Sequence, residues 1–337
     1  MSKPTLLHVA KLAGVSKATA SRVLNGTDSG VRISDQTRER VRAAAQKLDY
    51  RPNAAARALG SRRSGHIAVV LPAAPEPCHG YHRFSHLKLS EMLSGIHDTI
   101  REHQFHLMLQ IAGADFLKDE YVLGLWKSGD VDGILWVNLP LHPVLAELAC
   151  PVVAINAMDP KIPVGYVVTD QYGGSREAVE HLIARGHRLI AHVQGPEGFY
   201  LTSERRRAYL DVMKEHGLEP VIEQGDAFEQ SGAEALARLL EMDPRPSALF
   251  CGGDLMAVGV LKEARNRGLR VPGDLAVVGA DGTEQGFYTD PALSTVKMIV
   301  SEVAKQATEH LVEAILNPDL PPPRAVLPTE FHPRDSS

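Results

Sequence analysis

A chain of 337 residues, 44% hydrophobic and 23% charged, has the balance of a globular protein and the length for two or three domains. No stretch approaches the ~18 apolar residues of a membrane helix, and MSKPT leads into a helical pattern without a signal-peptide core, so a cytoplasmic protein with no membrane partner is expected. The net charge of -5 conceals an asymmetry: residues 1–65 hold 13 Lys+Arg against 4 Asp+Glu, a net of +9, which leaves -14 on the remainder. A small basic head on an acidic body is suited to meet a polyanion through the head alone. Cys78, Cys150 and Cys251 are scattered without paired spacing and fit reduced thiols.

In chain order, the first two elements fall in Thr5 to Asn25, TLLHVAKLAGVSKATASRVLN. Thr5 is placed to cap a helix whose apolar residues Leu6, Val9, Ala10 and Ala13 recur at helical spacing and form one buried stripe. Gly14 ends it in the left-handed conformation that glycine takes without a steric penalty, and Val15 plugs the angle that follows. Ser16 caps a second helix with Ala20, Val23 and Leu24 inward and Lys17, Ala18, Ser21 and Arg22 outward, stopping at Asn25-Gly26. This is the helix-turn-helix pattern, whose second helix lies in the DNA major groove with its N-terminal residues on base edges. An ordinary helical hairpin shares the outline; the charge of the head favours DNA.

A polar loop, Thr27 to Ile33, leads to Ser34, which caps a third helix with Val41, Ala44, Ala45 and Leu48 on its buried side. Then comes Tyr50-Arg51-Pro52-Asn53 and the run Ala54 to Leu59, followed by Gly60 and Arg62-Arg63. The run has high helix propensity but is far shorter than the ~12 to 15 residues at which an isolated helix holds in water. It reads as a linker that becomes a helix when DNA and a partner copy support it, or as a plain tether.

From His66 the rhythm changes. Apolar runs Ile67–Leu71, Leu107–Ile111, Ile134–Val137, Val152–Ile155, Leu189–Val193, Ala248–Cys251 and Leu275–Val278 alternate with helical patterns such as Leu89, Leu93, Ile96, Ile100 and the segment Glu234 to Leu240. Continuous apolar strands separated by helices predict parallel sheets covered on both faces. The length suits two such sheets side by side, with a small molecule in the cleft beyond their strands' carboxyl ends.

VAKLAGVSKATASRVLNG, RPNAAARAL, DLMAVGVLKEARNRGLRVPGDLAVVGAD, DPALSTV and VLPTEF, in this order, resemble the lac repressor and galactose repressor family of bacterial transcription regulators over nearly the whole chain. The fold class the resemblance implies is α/β with an all-α N-terminal head: a helix-turn-helix three-helix DNA-binding domain over 1–50, a hinge helix and linker over 51–65, and an effector-binding and dimerisation domain over 66–337. That domain is similar to periplasmic binding proteins and consists of two doubly wound parallel-sheet lobes, an N-lobe of about 66–164 plus 294–322 and a C-lobe of about 165–293 plus 323–337. The implied partners are a second copy of the chain, pseudo-palindromic double-stranded operator DNA and a small sugar-like effector. The implied function is repression of carbohydrate-utilisation genes, with no cofactor.

Matched position by position, the resemblance puts Lys17, Ala18 and Arg22 on base edges, Arg22 being suited to a bidentate contact with guanine. Thr5, Ser16, Thr19, Ser21 and Asn25 match phosphate contacts, which set register without reading sequence. Asn53, Ala56 and Leu59 match the hinge in the minor groove, with Leu59 as the apolar wedge that kinks the duplex. In the cleft, Arg205 and Asp281 match the pair that binds polar groups of the effector, with Phe84, Trp136, Asn138 and Asp254 as further candidates. As ordinary residues, Arg205 belongs to the run Arg205 to Arg207, Asp281 is a turn residue at a strand end, and Phe84, Trp136 and Asn138 are core or loop.

The chain also departs from the family pattern. The loop Gly26 to Ser34 is about three residues longer, Ala20 stands where a larger β-branched residue is common, and LPAAPEPCHGYHRFSHLKL (71–89) is longer and richer in proline and histidine. Gly253 stands where an effector-binding asparagine is typical, and Gly282 where a second aspartate is frequent, so the effector cannot be borrowed from a relative. A nucleobase or phosphorylated metabolite acting as corepressor, or a cleft without a functioning effector, remain alternatives. Cys78, His79, His82 and His86 fit no zinc spacing, which leaves a polar loop or a histidine site for an anionic effector. No nucleophile elbow, P-loop or dinucleotide fingerprint is present, which argues against an enzyme. The absence of a heptad repeat after VLPTEF favours a dimer over a coiled-coil tetramer.

Overall fold

The computed structural model describes residues 4–25, 33–50, 63–73, 87–113 and 115–337. These form two compact units, Met1–Gly65 and His66–Ser337. The first contains α1 (Leu6–Ala13), α2 (Lys17–Asn25) and α3 (Asp35–Lys47). The stripe expected from spacing is the core: Val9, Ala10, Ala13, Ala20, Val23, Val41, Ala44 and Ala45 are buried, with Leu6, Val15, Leu24 and Leu48 packed around them. Gly14 ends α1 at φ 64°, ψ 40°. The hydroxyls of Ser16 and Ser34 accept the Thr19 and Thr37 N–H at 3.0 and 3.3 Å, as caps do.

The second unit holds two six-stranded sheets. The first has the order β11-β5-β4-β3-β1-β2 and is wholly parallel, from β1 (His66–Pro72), β2 (His106–Ala112), β3 (Gly133–Val137), β4 (Val152–Ile155), β5 (Gly165–Thr169) and β11 (Arg324–Leu327). The second repeats this order as β12-β10-β9-β8-β6-β7, from β6 (Ile190–Gln194), β7 (Val221–Gln224), β8 (Ala248–Cys251), β9 (Ala276–Asp281), β10 (Ser294–Lys297) and β12 (Glu330–His332), with only β12 antiparallel.

The helices α4 (Leu87–Glu102), α5 (Glu120–Ser128), α6 (Gln171–Ala184), α7 (Tyr200–Glu215), α8 (Glu229–Leu239), α9 (Asp254–Asn266), the short α10 (Glu284–Phe287) and α11 (Val300–Leu316) complete the unit. Strand parity assigns the faces. In β1, Ile67, Val69 and Leu71 pack under α4 and α11, whereas Ala68 and Val70 join Trp126 and Trp136 on the other side. The second sheet is covered on both faces in the same way.

The lobe limits expected from sequence need correction. β5 pairs with β4 (Val153↔Gly165) and belongs to the first lobe, as does β11. β10 pairs with β9 (Ser294↔Val278) and belongs to the second. The chain therefore changes lobes after each of β5, β10 and β11. The local pattern marks a strand but not the sheet it joins, because pairing is decided by partners distant in sequence.

Candidate functional site

Both sheets carry the strand order of a doubly wound fold, in which the connections on either side of the switch point diverge and leave a crevice at the strands' carboxyl ends. A cavity of about 600 Å³ lies at these ends between the two lobes. The first lobe contributes Leu71 to Ala73 at the end of β1, Asn138 after β3, Asn156 after β4, and Lys88 and Met92 from α4. The second contributes Gly195, Phe199, Arg205, Gln224 to Phe228, Gly252, Gly253 and Asp281. Asn138 and Asn156 sit at φ 48° and 51°, a left-handed turn at a strand end that asparagine tolerates better than most residues.

Arg205 is buried on the inner face of α7 and lines the cavity. Its Nε donates to Gln171 Oε1 at 2.7 Å, Nη1 to the Gly252 carbonyl at 2.6 Å and Nη2 to Asp281 Oδ1 at 3.0 Å. A guanidinium has five N–H donors, so two remain for a ligand. Asp281 ends β9, and its Oδ1 also meets Lys88 Nζ at 2.5 Å. Burial pushes its carboxyl upward, but the charges and hydrogen bonds of Lys88 and Arg205 outweigh this and hold it below the usual carboxylate range. Arg205 and Asp281, 76 residues apart in sequence, are thus brought into one ion pair at the cavity wall.

The other cleft candidates divide. Asn138 lines the cavity. Trp136 does not: parity turns it to the opposite face of the sheet, where it packs edge-on against Trp126 and donates to the Pro140 carbonyl at 3.1 Å, leaving its neighbour Val137 on the cavity. Asp254 is fully buried beneath the wall. It accepts from Thr283 N and Oγ1 at 2.6 and 2.8 Å and from Thr295 Oγ1 at 2.6 Å, so it fixes the turn after Asp281 rather than lining the cavity. Burial, and then the charge of Asp281, raise its carboxyl above the usual range. Phe84 and the group Cys78, His79, His82 and His86 lie outside the described residues. Among the described residues no cluster of His, Cys, Asp or Glu could hold a metal ion.

The sequence reasoning missed Lys88 and Gln171. Gln171 opens α6 just after the first lobe crossing and donates to Thr169 Oγ1 at 2.8 Å, which in turn donates to Asn156 Oδ1 at 3.2 Å. A buried hydrogen-bonded chain therefore runs from Asn156 to Asp281 through Thr169, Gln171 and Arg205. A lone lysine and a lone glutamine carry no motif; only the packing of the lobes shows their place. The two glycine departures acquire reasons. Gly282 is at φ 71°, and a Cβ there would stand 2.7 Å from the Lys297 Cα, so an aspartate does not fit. At Gly253 a Cβ would lie 3.4 Å from Asp281 Oδ2, an ordinary contact, so glycine there leaves the space beside Asp281 open.

In the head, Lys17 and Ala18 are exposed at the start of α2, and Arg22 and Ser21 are partly so. Thr5 is exposed at the start of α1, where its N–H donates to His8 Nδ1 at 3.3 Å. Ser16 and Thr19 share a hydrogen bond of 2.8 Å at the N-terminus of α2, and Asn25 closes the helix. Asn53, Ala56 and Leu59 lie outside the described residues. Among the described residues no helix is long and apolar enough to cross a membrane.

A family model described as "Bacterial regulatory proteins, lacI family" matches residues 5–53, and one described as "Periplasmic binding protein-like domain" matches residues 179–337. The chain is 33% identical to the HTH-type transcriptional regulator CelR of Thermobifida fusca, covering 99% of this chain and 98% of that protein. It is 31% identical to catabolite control protein A of Priestia megaterium, covering 92% of each. Among solved structures, a CelR–cellobiose complex aligns with a TM-score of 0.72 at 31% identity, covering 99% of this chain and 100% of that one. The lac repressor dimer bound to operator and the anti-inducer ONPF aligns with a TM-score of 0.83 at 26% identity, covering 99% of each.

Proposed function

The chain belongs to the lacI family of bacterial regulatory proteins and is a transcriptional regulator, and on that footing we propose that it represses carbohydrate-utilisation genes as a dimer whose operator affinity is set by a sugar-like effector bound between the lobes. The observation that carries the reading is the Arg205–Asp281 pair at 3.0 Å on the wall of a cavity of about 600 Å³. A carboxylate accepts from neighbouring hydroxyls and a guanidinium donates to ring or hydroxyl oxygens, which is the complement of a sugar edge. The volume falls in the range of small-molecule sites and exceeds what a single pyranose needs. A relative solved with cellobiose supports a ligand of disaccharide size.

In the head, Lys17, Ala18 and Arg22 read base edges while Thr5, Ser16, Thr19, Ser21 and Asn25 hold phosphates. One head offers few base contacts, so specificity comes from pairing two heads and from Asn53, Ala56 and Leu59 deforming the operator's centre. Effector shifts the lobes, and the two sites share a coupling free energy.

The test is operator binding by fluorescence anisotropy, on a duplex selected from a random pool, with and without sugars. We expect an effector to change the affinity of wild-type protein by about tenfold or more. Arg205→Ala should keep effector-free binding and lose the response. Loss of operator binding in a folded Arg205→Ala protein, or a wild type indifferent to every sugar, would sink the proposal.

A further inference from the structure

Two cations in the cleft share one carboxylate oxygen. Arg205 Nη2 and Lys88 Nζ both reach Asp281 Oδ1, at 3.0 and 2.5 Å. They approach from different lobes. Arg205 stands in the same lobe as Asp281, is almost wholly buried, and is pinned by Gln171 and the Gly252 carbonyl. Lys88 belongs to α4, which packs on the first lobe, and its side chain is 20% exposed. The Lys88–Asp281 pair is therefore the part of this cluster that spans the cavity.

A ligand seated between the lobes must part Lys88 from Asp281. Asp281 then keeps Arg205 as its counter-charge, whereas the Lys88 ammonium loses its own. An ammonium has three donors and no acceptor, and an unpaired charge in a partly dry cleft is costly. Among the described residues the other carboxylate on the wall, Asp226, is engaged at the start of α8, where its Oδ1 accepts the Phe228 N–H at 2.9 Å. Gly253 leaves the face of Asp281 open, so sugar hydroxyls reach it without displacing Arg205.

We infer that the ligand of this cleft carries an anionic group, a carboxylate or a phosphate, that takes the Lys88 ammonium while its hydroxyls take Asp281, so that Lys88 selects acidic over neutral sugars. This rests on the reading of the cleft as a sugar-effector site. A charge-assisted hydrogen bond is shorter and stronger than the neutral one a hydroxyl would give, so the preference belongs to this one residue.

The test is calorimetric titration of full-length wild type, Lys88→Met and Lys88→Arg with matched series of glucose, galactose and cellobiose: the neutral sugar, its uronic or aldonic acid, and its 6-phosphate. Wild type should bind at least one anionic member about tenfold more tightly than its neutral parent, and the acid and phosphate arms show which group it is. Lys88→Met, with an unchanged melting temperature, should lose that preference; Lys88→Arg should retain it. A wild type that prefers no anionic member, or a Lys88→Met protein that keeps the preference, overturns the inference. Neutral sugars that bind wild type as tightly as their anionic counterparts overturn the inference alone and leave the effector cleft standing, whereas no binding of either class overturns both.

Discussion

His192 shows what burial does to a single titratable side chain. It is fully buried on β6, stacked on Phe250 with ring centroids 5.0 Å apart, and its Nδ1 is 2.8 Å from the Phe250 carbonyl. Burial pushes its imidazole down to about 4; the carbonyl opposes this, and Arg205 and Arg206 add to it. The unfolded chain titrates near the ordinary value of 6.5, so between the two values the unfolded state binds a proton that the folded state refuses. Stability is complete above the upper value and is lost as pH falls through the lower one. We expect this residue to cost about 2 kcal/mol of stability between pH 7 and pH 5. Urea titrations should show a pH slope that is shallower in His192→Gln by that amount; equal slopes would dismiss the account. The same scale separates what sequence could say of the cleft. Arg205 and Asp281, matched by resemblance, line the cavity, whereas Asp254 and Trp136 do not, because facing a cavity is a matter of parity and burial.

Elements are held together by close backbone approaches that glycine permits. α8 crosses α9 where a Cβ at Gly259 would overlap the Glu229 carbonyl and one at Gly232 the Met256 carbonyl. Neither partner can retreat, since each is the backbone of a packed helix. Gly259→Ala is expected to destabilise the second unit by about 1–3 kcal/mol, read by thermal unfolding, despite alanine's better helix propensity. A melting temperature at or above that of wild type would show that the crossing relaxes freely. Caps and turns such as Ser16, Ser34 and Gly14 were legible in sequence because their partners lie within three or four residues. The sheet membership of β5, β10 and β11 was not, because it depends on strands far away along the chain.

Over the full chain, charge is divided unevenly: a net of +9 on residues 1–65 and -14 beyond. If paired heads neutralise six or more phosphates, operator affinity should fall about a thousandfold or more between 50 and 200 mM salt. A shallow salt dependence in anisotropy titrations would contradict that role for the head. The chain crosses between the lobes three times, after β5, β10 and β11, and these crossings link the cleft walls covalently. The buried chain from Asn156 through Thr169, Gln171 and Arg205 to Asp281 passes beside the first of them.

Residues 5–25 declared their helices, turn and basic face in sequence because caps, periodicity and charge are local or additive properties. The alternation after His66 declared two parallel sheets for the same reason. Which residues meet across the cleft was decided only when two sheets from distant parts of the chain stood opposite each other. That arrangement brought Lys88 to an aspartate 193 positions away, buried Asp254 and turned Trp136 aside, because contact across a cavity depends on the packing of whole lobes and leaves no periodic trace along the chain.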